Sequence, residues 1–141
     1  YLVLTTASLR TIAGIDRSGV KIGVGQNDAA DLHLRRTLSQ ATLVPNAGGS
    51  LDTALAQLQS GAIDAYAANR QRLTGFAATR PEVRVMDENF LAVRQAIVVP
   101  KGRSARLALL DRFLDEARAS GFLAQAIARA ALAGVDVAPK P

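Results

Sequence analysis

The run Val20-Lys21-Ile22-Gly23-Val24-Gly25 leads directly into Gln26-Asn27-Asp28 and then into AADLHLRRTLS, residues 29–39. The first piece is short, apolar and closed by glycine, which reads as a buried strand. The piece from 28 to 39 reads as a helix. Asp28 is a good N-cap, and Asp31 adds a second carboxylate to the first turn, where the helix dipole favours negative charge. Ala30, Leu34, Leu38 and Ala41 recur at helical spacing and form one apolar stripe. A buried strand that feeds a helix is the elementary unit of an α/β sheet.

The same alternation continues on both sides. Residues 1–5 read as a strand. Residues 42–44 read as another, stopped by Pro45. Ser50 caps a helix whose buried face is Leu51, Ala54, Leu55 and Leu58, and Gly61 stands where a C-terminal cap belongs. Residues 62–67 read as a strand, 70–79 as a helix ending before Pro81, 83–86 as a short strand and 91–99 as a longer one closed by Pro100. Two helices finish the chain, 104–119 stopped by Gly121 and 122–132 stopped by Gly134. The expected fold class is α/β: a mainly parallel sheet flanked by helices, plus a C-terminal helical pair.

Composition narrows the function classes. The chain has 141 residues, 49% apolar and 21% charged, the balance of a globular protein with a sizeable core. It has no Cys and one His, His33. Thiolate catalysis, disulfides and zinc-thiolate sites are therefore excluded, and His33 has no second His for a conventional zinc site. No catalytic residue, metal or cofactor is assigned. The net charge of +5 is scattered, with no basic run longer than Arg35-Arg36. That pattern reads as a solvated surface and argues against nucleic acid as a partner. The most apolar stretch, 124–137, is too short for a membrane span and carries Arg129.

In parallel sheets ligands bind at the carboxyl ends of strands and the amino ends of the following helices. Three loops qualify. In the first, Gly25 lets a backbone come close, while Asn27 and Asp28 read either as helix caps or as ligand contacts. The second, Asn46-Ala47-Gly48-Gly49-Ser50, lacks the lysine of a P-loop. Gly49 and Ser50 are candidate contacts, and Gly48-Gly49 also reads as a tight turn. The third holds Asn69 and Arg70, a polar amide and a planar cationic fork, or equally a cap followed by a solvated Arg.

Together these segments resemble the extracellular solute-binding proteins of ABC importers, in the group with the type II periplasmic binding fold that includes amino-acid binders. Ile15-Asp16 followed by Gly19-Val20-Lys21-Ile22-Gly23-Val24 is similar to that family's "D-L-x-G-K-x-V-G-V" with one residue inserted. LAQLQSGAIDA at 55–65 is similar to "L-x-x-L-x-x-G-x-x-D-A". AIVVPKG at 96–102 is similar to "A-I-A-V-P-K-G", and Phe113-Leu114 with Gly121-Phe122-Leu123 resembles its closing helices.

The resemblance implies a periplasmic protein that closes two lobes over a small polar solute and delivers it to an ABC permease in the membrane. It implies that 1–90 form a hinge strand and the second lobe, and that 91–141 form the return strand and closing helices of the first. The start at Tyr1 fits a truncated or processed chain with most of one lobe missing. Weak or no solute binding by this chain alone is then expected, as is exposed apolar surface at Phe113, Leu114, Phe122 and Ile127 that favours a homodimer.

Two positions depart from the amino-acid binders. The first loop there carries Thr or Ser on the ligand carboxylate, where this chain has Asn27-Asp28. The Asp that grips the ligand ammonium is replaced by Asn69, which lacks the charge for that bond. The expected solute is therefore a small polar molecule other than a simple α-amino acid. The same fold also serves as the effector domain of LysR-type regulators or sensor proteins and, in some relatives, as a dehydratase.

Overall fold

The computed structural model describes residues 1–132 and 134–140. They form two compact units, Tyr1–Val93 and a second beginning at Arg94.

The first unit is built on a five-stranded sheet, β1 (Leu2–Leu4), β2 (Lys21–Gly25), β3 (Thr42–Asn46), β4 (Ala65–Ala67) and β5 (Val83–Val85), in the order β3-β2-β4-β1-β5. β2 pairs parallel with β3 and β4, whereas β1 pairs antiparallel with β4 and β5. Four strands thus run one way and β1 runs against them, so the sheet is mixed. Helices α1 (Ala29–Thr37), α2 (Leu51–Gln59) and α3 (Arg70–Ala77) follow β2, β3 and β4.

Strand alternation sorts the core into two faces. Val3, Ile22, Val24, Ala65 and Ala67 meet Ala30 and Leu34 of α1, with Ile15 and Met86 beside them. Leu2 and Tyr66 point the other way and meet Leu51, Ala54 and Leu58 of α2 and Leu73 of α3. Each large aliphatic side chain buried here contributes about 1.5–3 kcal/mol. β2 therefore sends its helix to one face, while its neighbours β3 and β4 send theirs to the other. Connections that diverge in this way open a crevice at the carboxyl ends of the strands.

Several sequence expectations need correction. Pro45 does not stop β3, which runs on to Asn46. β3 is an edge strand, where a missing N–H costs no ladder bond. β4 begins at Ala65 rather than residue 62, because the amides of Ala62 and Ile63 donate to Gln57 O and finish α2 instead. The strand expected over 91–99 does not form among the described residues. No strand lies alongside to complete its ladder, and Val98 is 87% exposed.

The second unit contains α4 (Ser104–Ala119), with the bounds expected from sequence, and α5 (Phe122–Arg129). α5 is shorter than expected. Ala131 takes φ 48°, and the amides of Ala131 and Leu132 donate to Ala128 O and Ile127 O, a Schellman-type ending. Phe113 and Phe122 are half exposed, at 51% and 50%.

Candidate functional site

Register places Gly25 opposite Asn46 and Val24 opposite Ala67, so β2, β3 and β4 end nearly level. The loops 26–28, 47–50 and 68–69 leave that one sheet edge and enter α1, α2 and α3. Gln26 N donates to Asn46 O at 3.2 Å and ties the first two loops together. The structure thus brings Asn27, Asp28, Gly49, Ser50 and Asn69 to one edge.

Each loop is held by its own polar groups. Asp28 Oδ1 accepts from Asp31 N at 2.8 Å and caps α1. Asn27 takes φ 64°, and its amide donates to Asp31 Oδ2 at 2.8 Å. The Asp31 side chain is fully buried and also accepts from Arg35 Nε at 2.7 Å. Burial pushes the Asp31 carboxyl up, but the Arg35 guanidinium and the Asn27 amide outweigh it and hold it below the usual carboxylate range. The floor of the first loop is therefore a fixed anion.

In the second loop Gly48 and Gly49 have φ 76° and 61°, a left-handed pair that side chains other than glycine resist. This is the tight turn, and it brings Gly49 to the crevice. Ser50 Oγ accepts a long bond, 3.4 Å, from Thr53 N, while Ser50 O accepts from Asn46 Nδ2 at 2.9 Å. In the third loop Asn69 Oδ1 caps α3 through Gln71 N at 3.0 Å. Arg70 is turned away to bind the following segment. Its Nε donates to Asn89 Oδ1 at 2.8 Å, and its Nη2 lies 2.9, 2.8 and 3.1 Å from the carbonyls of Met86, Asp87 and Glu88.

Three further residues reach the crevice that sequence reading did not single out as contacts. Asn46 is buried. Tyr66 is completely buried, and its ring crosses from β4 over Gly23 toward the end of β3. A Cβ built on Gly49 would lie 3.8 Å from Tyr66 Oη, 3.7 Å from Arg72 Nη1 and 3.6 Å from the Gly25 Cα. Arg72 donates to Gly49 O. Burial raises the Tyr66 phenol, Arg72 opposes the rise, the Asp28 charge adds to it, and the Asn46 side chain opposes it in turn. The available signal was Tyr66 on a strand otherwise made of Ala, opposite a glycine.

Two concavities, of about 390 and 420 Å³, lie elsewhere on the first unit, away from the carboxyl ends of β2, β3 and β4. The former is lined by Tyr1, Asp16, His33 and Phe90 among others, and the latter by Leu58, Gly61 and Asp64 at the opposite sheet edge.

No protein-family profile and no curated protein matches the chain. Solved structures match in fold. The substrate-binding protein of an amino acid ABC transporter matches with TM-score 0.66 and 16% identity, over 91% of this chain and 56% of that one. A mutant of ArgBP from T. maritima matches with TM-score 0.64 and 20% identity, over 91% and 55%. An ancestral cyclohexadienyl dehydratase matches with TM-score 0.56 and 17% identity, over 91% and 54%. The chain has the type II periplasmic-binding fold and spans little more than half the length of these neighbours.

Proposed function

We propose that this chain supplies one ligand-holding lobe of a periplasmic solute-binding protein, which carries a small polar solute to an ABC permease in the membrane. The observation that carries this reading is the level edge of β2, β3 and β4. It presents three capped helix starts to a single crevice, and free amides there suit carbonyl and anionic oxygens. Asn27, Asp28, Gly49, Ser50 and Asn69 are the contacts in this reading. Arg70 acts through the 86–89 segment that it fastens. The function is binding without catalysis. Closure over the solute is driven by contacts that exist only in the closed state.

The solute in this reading is not a simple α-amino acid. Asn69 offers a neutral amide oxygen, already given to Gln71 N, where an ammonium needs a carboxylate. Calorimetry on the intact protein tests this against the standard amino acids and a panel of other small polar solutes. Binding of a non-amino-acid solute at least tenfold tighter than any amino acid is expected. Tight binding of a standard amino acid contradicts it.

A further inference from the structure

Tyr66 is fully buried, yet its hydroxyl has no hydrogen-bond partner among the described residues. Buried donors are rarely left without an acceptor, because the lost solvation is not replaced. The Asn46 side chain lies beside it, with Nδ2 given to Ser50 O, and draws the phenol down without closing a hydrogen bond of full geometry. Over the gap lies Arg72, whose one hydrogen bond among the described residues is to the neutral carbonyl of Gly49. Arg72 forms no ion pair among the described residues, although Arg35, Arg80 and Arg118 each have a carboxylate. A guanidinium has five donors in a planar fork matched to a carboxylate. An unused phenolic donor and an underused cation thus converge within 4 Å of one point above Gly49.

We propose that Arg72 and Tyr66 form a carboxylate-receiving subsite in the crevice, held shut in this state by the bond from Arg72 to Gly49 O. The inference rests on the crevice being the solute site and adds the class of solute, a small organic acid. Exchange of a neutral carbonyl for a carboxylate favours opening, since the guanidinium then meets a full opposite charge through two parallel N–H···O bonds. Once Arg72 swings off Gly49, the Tyr66 hydroxyl gains its missing acceptor. Asp28 is the opposing charge nearby. Its Oδ1 is turned onto Asp31 N, where the α1 terminus partly offsets it. Gly49 is required here for space as well as for its backbone, because any side chain would fill the point where the ligand oxygen sits.

Titration of the intact protein with four- to six-carbon carboxylates, with the matched primary amides and with polyols, followed by amide and Arg Nε–H resonances in NMR, tests this. Carboxylates are expected to shift the Arg72 Nε–H and the Gly49 amide together, and to bind at least tenfold more tightly than the amides. R72Q is expected to lose at least tenfold of that affinity and Y66F about threefold, with R72K intermediate. Circular dichroism checks the fold, and the carboxylate-to-amide ratio on the unaltered protein decides the matter even where a variant does not fold. Equal binding of carboxylates and amides, or carboxylate affinity unchanged in R72Q, overturns the subsite while leaving the crevice reading intact. Absence of any shift at 25–28, 49–50 and 69–72 with all three solute classes overturns both.

Discussion

The ring of Tyr66 occupies the space that a side chain at Gly23 would need. The two residues are register partners on β4 and β2, and a Cβ on Gly23 would stand 2.8 Å from Tyr66 Cδ2 and 2.6 Å from Ile63 Cδ1. Gly23 is therefore what allows the phenol to cross the sheet toward Gly49. Gly23→Ala overpacks this face and is expected to cost about 1–3 kcal/mol. Urea unfolding measures the loss, and a midpoint equal to that of the unaltered chain contradicts the packing described.

Acid should weaken the first unit through two carboxylates. Asp16 accepts backbone bonds from Ala41, Gln40 and Ser39 and the Ser39 hydroxyl, which hold it far below the usual range. Asp31 is held down by Arg35 and the Asn27 amide despite its burial. A depressed folded-state value means that the unfolded chain binds the proton more readily. The stability these groups add is thus fully present above the unfolded value of about 3.9 and is lost as pH falls through the folded values. Thermal melts between pH 2 and pH 6 should fall steeply at the acid end, and Asp16→Asn should flatten that fall. A variant whose slope matches the unaltered chain contradicts the assignment.

Arg70→Ala should act on structure before it acts on binding. It strips donors from three successive carbonyls and from Asn89, at an expected cost of about 1–3 kcal/mol. Hydrogen exchange reports it locally. The Met86 amide, which donates to Tyr1 O at 2.9 Å, should exchange faster. Unchanged protection at Met86 contradicts the fastening role.

The second unit should promote self-association. Leu109, Phe113 and Phe122 are each about half exposed, and large exposed apolar groups seek partners. Sedimentation velocity over a range of concentrations is expected to show a dimer that Phe113→Ser weakens. A single monomeric species throughout contradicts it.

The strand–helix alternation from residue 20 to 77 is legible in the sequence because each helix carries its own cap, Asp28, Ser50 or Asn69, and an apolar stripe. The loops of the crevice follow from the same signals. What stays hidden depends on pairing in space. The reversed direction of β1 is set by its neighbours β4 and β5, not by its own residues. Residues 91–99 have the composition of a strand, yet no ladder partner lies beside them among the described residues. The orientation of Arg70 toward 86–89, and the reach of Tyr66 and Arg72 toward Gly49, depend on contacts 16 or more residues away in sequence.

The most direct test of the crevice is an amide chemical-shift map of the intact protein with the solute that calorimetry ranks first. The largest shifts are expected together at 25–28, 48–50 and 68–72, with the Tyr1–His33–Phe90 concavity and the 58–64 edge little changed. Largest shifts at either of those two places, with the three loops silent, contradict a solute site at the carboxyl ends of β2, β3 and β4.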